Sequence, residues 1–125
     1  MHDQIDYRRK LGMCGEKLAL SCLEQKGYRL LAKNYRCFLG EIDLVMKDQN
    51  RLVFIEVKTR SSERFGTALE SVNQHKLRRI IRISEFFLQQ ELKGRWNGPV
   101  AIEVFAIQLN SDLEPSFSHH IVTGI

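Results

Sequence analysis

No segment of this chain is apolar over enough residues to cross a bilayer. Every hydrophobic stretch is broken within a few residues by Lys, Arg, Glu or Asp, well short of the run of about 20 that a spanning helix needs. The first ten residues, Met1 to Lys10, hold no apolar signal core. Cysteine is scarce: Cys14, Cys22 and Cys37 form an odd set without a Cys-x-x-Cys pair. That argues against a zinc ribbon and against a disulfide framework, and a reducing cytoplasm is the expected location. There is no internal repeat and no low-complexity tract to mark a linker. The 125 residues, 43% of them hydrophobic, supply one compact core, so a single domain is expected.

Net charge is a modest +4, but its distribution is uneven. Between Arg51 and Arg82 there are eight basic residues (Arg51, Lys58, Arg60, Arg64, Lys76, Arg78, Arg79, Arg82) against three acidic ones (Glu56, Glu63, Glu70), a local excess of +5. A concentrated basic stretch in an otherwise near-neutral chain suits a polyanionic partner, whereas the plainer alternative is a solvated helix face.

Leu11, Cys14, Leu18, Cys22 and Leu23 recur at helical spacing from about Tyr7 to Lys26, and Gly27 is a plausible stop. Cys14 and Cys22 on that face read as small core hydrophobes. Three strands are expected next, Tyr28 to Phe38, Glu41 to Lys47 and Leu52 to Thr59, running antiparallel. After the loop SSERFGTA, a second helix from Asn73 to Glu91 places Leu77, Ile80, Ile81, Ser84, Phe87 and Leu88 on one face and His75, Arg78, Arg79 and Arg82 away from it. Val100 to Leu109 and Phe117 to Val122 complete an α-β-β-β-α-β-β order.

The chemistry concentrates on the hairpin of the second and third strands. A four-residue loop, Asp48 to Arg51, would set Lys47 opposite Leu52, Val45 opposite Phe54, Asp43 opposite Glu56 and Glu41 opposite Lys58. The other face would then carry Met46 with Val53, Leu44 with Ile55 and Ile42 with Val57, an apolar face for the first helix to cover. Asp43 and Glu56 would stand roughly 5 Å apart at Cβ, and like charges so placed destabilise a sheet. Two compensations are open at this point. One is an ordinary charge cluster with a Lys58–Glu41 ion pair, and the other is a divalent cation between the carboxylates.

The spacing of Asp43 and Glu56-Val57-Lys58 resembles the Asp...Glu-x-Lys signature of the PD-(D/E)XK nuclease superfamily, which includes Holliday-junction resolvases. A closer resemblance is to the small bacterial YraN-type family. It rests on Gly15-Glu16, Asn34-Tyr35-Arg36, Gly40-Glu41-Ile42-Asp43-Leu44 and Phe54-Ile55-Glu56-Val57-Lys58-Thr59-Arg60, extended by Phe65-Gly66 and Lys76. The resemblance implies a restriction-endonuclease-like α/β core, a mixed central sheet flanked by helices. It also implies Mg²⁺ or Mn²⁺ held by Asp43, Glu56 and the Val57 carbonyl, with Glu16 completing the shell directly or through water. Lys58 would orient the attacking water, and Glu41 is an accessory candidate. Ile42 departs from the family's proline, and Ala101-Ile102-Glu103 departs from an Arg-aromatic-Asp pattern.

The function so implied is endonuclease-like hydrolysis of DNA, branched or repair intermediates included. Arg60, Arg64, Lys76, Arg78, Arg79 and Arg82 would grip the backbone without reading sequence. An inactive nucleic-acid-binding module and a protein-interaction domain are the alternatives, and pairing of two copies as a homodimer stays open. His75, His119 and His120 read as surface residues. Trp96 is expected to pack at an edge of the fold rather than stack on a base.

Overall fold

The computed structural model describes the backbone of residues 4–60, 73–109 and 116–124, and within them the side chains from residue 14 to residue 122. Arg64 and Phe65-Gly66 lie outside the described residues, and the Leu11 side chain lies outside the described side chains. The elements are α1 (Gln4–Gln25), β1 (Arg29–Cys37), β2 (Gly40–Asp48), β3 (Arg51–Arg60), α2 (Gln74–Gln90), β4 (Val100–Gln108) and β5 (Ser116–Gly124). This is the mixed α/β class and the element order expected from the sequence.

The strands form one sheet in the order β1-β2-β3-β4-β5. β1, β2 and β3 are antiparallel neighbours, β3 and β4 run parallel with α2 between them in sequence, and β5 returns antiparallel. β4 is buried from Val100 to Ile107, as a strand between two neighbours and two covered faces must be.

The helices cover opposite faces. Leu44, Met46, Val53, Ile55, Phe105 and Ile107 pack with Ala19, Leu23 and Tyr28 on the α1 side, and Val57 flanks them. Val45, Leu52, Phe54 and Ile102 pack with Ile80, Ile83 and Phe87 of α2 on the other. α2 starts at Asn73, whose side chain accepts from the Lys76 N–H at 2.9 Å. α1 stops at Gly27, whose φ of +98° reverses the chain so that the Tyr28 N–H reaches the Leu23 carbonyl at 3.0 Å.

The buried stripe of α1 is rotated from the expected one. Gly15, Ala19 and Leu23 face the sheet, while Cys14 is exposed, Cys22 is half-buried and Leu18 is exposed. Small residues decide this. A Cβ on Gly15 would lie 2.1 Å from Thr59 Oγ1, so only glycine lets the helix approach β3 at that point.

The hairpin register is as expected from Lys47↔Leu52 to Leu44↔Ile55, although the turn is tighter. Asp48 pairs with Arg51 across a two-residue turn, Gln49-Asn50. The ladder stops at Leu44↔Ile55, and the expected pairs Asp43 with Glu56, Ile42 with Val57 and Glu41 with Lys58 do not form. Ile42 packs toward α2, and Leu44, two residues on, packs toward α1. β2 therefore rolls over at Asp43. The neighbouring strand explains why: between the pairs Lys33↔Leu44 and Tyr35↔Ile42, opposite Asp43, stands Asn34 with a left-handed φ of 52°.

Candidate functional site

The place where β2 leaves β3 is where the acidic residues meet. In an uninterrupted ladder the Val57 N–H would bond to the β2 backbone near Ile42. Here it donates to the Asp43 carboxylate at 2.8 Å. The N–H and C=O of one strand residue point the same way, so the Val57 carbonyl also faces the gap left by β2.

Glu56 lies on the α2 face of β3, half-buried. Lys58 Nζ is 3.6 Å from its carboxylate, and Lys76 Nζ, from the first turns of α2, is 3.8 Å away. Lys76, expected to grip the nucleic-acid backbone, is thus turned toward the acidic pair. Its ammonium is held below the usual lysine range by burial and by the adjacent Lys58, against the pull of Glu56 and Asp43.

The Asp43 carboxyl is pushed up to about 7. Burial is the largest cause and the Glu56 carboxylate adds to it, as Glu16 does less strongly; the Val57 N–H and the Lys58 ammonium pull the other way. Glu16 is held from β1: with its amide nitrogen turned toward α1, Asn34 donates to both Glu16 oxygens at 3.2 Å. A strand acid, Glu56, and more weakly a helical one, Glu16, therefore both act on the Asp43 carboxyl. Sequence reasoning had no signal for the Asn34 contact, because it depends on the left-handed turn of the backbone.

Glu41 does not join them. It pairs across β1 and β2 with Arg36 at 3.2 Å, in place of the expected Lys58 partner, because the β2–β3 ladder has already ended.

The donor set bears on which cation could fit. Among the described residues no three His, Cys, Asp or Glu side chains gather as a ready-made metal cage. Two carboxylates and a carbonyl are all oxygen donors. That matches a hard dication that keeps several waters and does not match a closed nitrogen and sulfur site.

The basic residues divide. Arg51 is structural: it pairs with Asp48 at 2.9 Å and lies 3.2 Å from Glu103. Arg60 is half-buried at the end of β3. His75, Arg78, Arg79 and Arg82 are exposed and line a cavity of about 240 Å³ between α2 and Leu39, which joins β1 to β2.

A second acid was not singled out from the sequence. Glu103 is fully buried on β4, where it accepts from the Tyr28 hydroxyl at 2.9 Å and bonds the His119 ring. Burial pushes its carboxyl up, but the hydrogen bonds from His119 and Tyr28 and the charges of His119 and Arg51 hold it below the usual range. His119, expected at the surface, is recruited inward by this acid, and its other ring nitrogen is 3.1 Å from Lys26 Nζ. The departure from an Arg-aromatic-Asp pattern in β4 thus leaves an acid in place, in a structural role. Trp96 packs at the edge as expected, its indole N–H donating to the Pro99 carbonyl at 3.3 Å.

The family model described as "Uncharacterised protein family UPF0102" matches residues 15–107, which include every residue of the acidic site. A UPF0102 protein of Mycolicibacterium vanbaalenii is 38% identical over 114 residues, covering 91% of this chain and 93% of the relative. One of Moorella thermoacetica is 48% identical over 89 residues, covering 70% and 74%. One of Pseudomonas fluorescens is 41% identical over 102 residues, covering 81% and 83%. No described helix is long and apolar enough to cross a membrane.

Proposed function

The chain belongs to the uncharacterised protein family UPF0102, the YraN-type family whose motifs it carries, and from its site we propose a Mg²⁺- or Mn²⁺-dependent phosphodiesterase acting on DNA, branched DNA included. The observation that carries this reading is the crowding of Asp43 with Glu56 where β2 leaves β3, with Lys58 and Lys76 turned onto Glu56. Burial and the neighbouring Glu56 carboxylate raise the proton affinity of Asp43, and a dication relieves that more completely than a proton does.

Asp43 and Glu56 would hold the ion, the Val57 carbonyl would face it, and Glu16 would contribute directly or through water. The ion would supply Lewis acidity toward a phosphoryl oxygen and toward water. The Val57 N–H fixes one Asp43 carboxylate oxygen in place. Lys58 orients the attacking water and balances charge on the phosphate, while Lys76 grips a non-bridging oxygen from the opposite layer. Arg60, Arg64, Arg78, Arg79 and Arg82 neutralise flanking phosphates.

One observation favours the inactive-module alternative: the described residues gather two strand acids rather than a complete cage of ligating side chains. Calorimetric titration with Mg²⁺ and Mn²⁺, with cleavage assays on linear, nicked, flapped and four-way DNA, separates the two. The proposal expects metal binding and cleavage together, and expects Lys58→Ala to keep the first and lose the second. Tight DNA binding with neither metal affinity nor cleavage would assign the chain to the module reading.

A further inference from the structure

Phe38 is the most exposed large hydrophobic side chain among the described residues, with 82% of its surface open. It sits in the two-residue turn Phe38-Leu39 that closes the β1–β2 hairpin at Cys37↔Gly40. Its ring is nevertheless supported: it makes a T-shaped contact with Phe86 of α2, with centroids 5.3 Å apart at 79°. A ring held by one T-shaped contact and open over most of its surface keeps an apolar face for stacking.

Its surroundings are cationic. The other residue of the turn, Leu39, lines the cavity formed by His75, Arg78, Arg79 and Arg82. A Cβ on Gly40 would lie 3.4 Å from Arg79 Cδ, so the hairpin and the arginine row are in contact. Along α2, residue 75 is three and four residues from 78 and 79, these are four and three from 82, and 82 is four from 86, so they form one stripe. The stripe begins beside Lys76, which reaches Glu56, and ends at the ring that supports Phe38.

Cations alone suit any polyanion, but cations in line with a supported, open aromatic ring suit a strand that offers both phosphates and an unpaired base. In an intact duplex the bases are stacked and paired, and a ring at this height would meet only the backbone. We propose that Phe38 is a stacking platform for an unpaired DNA base, and that the His75-Arg78-Arg79-Arg82 row carries the phosphates between that base and the acidic site. The inference rests on the nuclease reading and narrows its substrate to DNA with a single-stranded segment, such as a flap or fork. Ten residues of helix separate Lys76 from Phe86, about 15 Å, or about four nucleotides of stacked strand at 3.4 Å each. The stacked base therefore sits about four nucleotides from the phosphate at the acidic site.

The test compares wild type, Phe38→Ala, Phe38→Leu and Phe38→Trp by fluorescence anisotropy on a blunt duplex, a single strand and a flap, at several salt concentrations. A second flap carries 2-aminopurine in its unpaired arm. Loss of one base–aromatic stack should weaken Phe38→Ala and Phe38→Leu by about five- to a hundredfold on the single strand and the flap, with duplex affinity within about twofold of wild type. The salt slope should stay unchanged, because no phosphate contact is removed. Phe38→Trp should bind as wild type does and quench 2-aminopurine, and the alanine variant should not quench it. Equal weakening on the duplex, or leucine behaving as phenylalanine does, overturns the platform while leaving the nuclease reading intact. A wild type that binds none of the DNAs, or binds without salt dependence, overturns both.

Discussion

Replacing Asp43 by Asn tests the acidic site without any substrate. The Asp43 carboxyl stands at about 7 against an ordinary 3.8, chiefly through burial and through Glu56. A raised carboxyl in the folded protein means that stability is full below the unfolded value, falls as pH rises from about 4, and levels off above about 7. Three units correspond to a ceiling of about 4 kcal/mol. Because Asp43 is not fully buried and solvent screens part of its interactions, about 2 kcal/mol is the reasonable share for this one site. Asn cannot ionise, yet its amide oxygen can still accept the Val57 N–H, so the variant escapes the loss without breaking the local structure. Thermal unfolding of the metal-free protein from pH 4 to pH 8 should show the two curves starting close and diverging. The variant should melt about 6–10 °C higher at pH 8. Adding Mn²⁺ at a hundred times its dissociation constant should stabilise wild type by about 2.7 kcal/mol and leave Asp43→Asn unmoved. A variant less stable than wild type by more than about 1 kcal/mol at pH 8, with metal response retained, would make Asp43 part of a structural ion-pair network and refute this account of the site.

Three further outcomes follow from the same geometry. Changing Arg78 and Arg82 together to Ala should flatten the slope of log affinity for duplex DNA against log salt by about one unit per lost phosphate contact, and an unchanged slope would return this row to the status of a solvated face. Gly15→Ala should destabilise by about 0.5–2 kcal/mol in urea titration, the overpacking against Thr59 exceeding the gain in helix propensity; Thr59→Ala in the same chain should recover most of the loss, and absence of coupling would refute the close approach. Glu103→Ala should remove about 3–5 kcal/mol at neutral pH by leaving Arg51 and Tyr28 without their buried partner. With its carboxyl held low, the wild-type contribution of Glu103 should fade only as the pH falls below the ordinary 4.5, and a contribution lost at higher pH would show that the network is held otherwise.

Periodicity and parity made much of this molecule legible in its sequence, and both have local limits. The alternation of Leu44, Met46, Val53 and Ile55 fixed the α1 face of the sheet, and the register from Lys47↔Leu52 to Leu44↔Ile55 followed from a short turn. Parity failed at Asp43 because it assumes a flat, continuous ladder. A left-handed Asn34 and the Asp43 carboxylate taking the Val57 N–H are tertiary events with no alternation to announce them. Helical spacing likewise marked α1 but put Cys14 on the buried side. That spacing counts apolar residues, whereas the sheet selected the smallest ones, Gly15 and Ala19. The basic run between Arg51 and Arg82 was a property of sequence order, and folding divided it into Arg51 under Glu103, Lys58 and Lys76 at the acidic site, and the exposed row on α2.

Glu103 and Asp43 both lie largely out of water, and the directions of their shifts separate structure from chemistry. Burial raises both carboxyls. At Glu103 the Tyr28 hydroxyl, His119 and Arg51 outweigh it, and the carboxyl ends below its ordinary range. At Asp43 the compensating groups are one backbone N–H and the Lys58 ammonium, set against Glu56 and Glu16, and the carboxyl ends above its range. A fold that needed Asp43 only as a brace could have satisfied it as it satisfies Glu103, because Lys58 and Lys76 are both within reach of the neighbouring acid. Instead both lysines lie closest to Glu56, and among the described residues Asp43 has a backbone N–H rather than a cation as its hydrogen-bond partner. An acid left in that state is what the proposed dication, with its phosphodiester, would relieve.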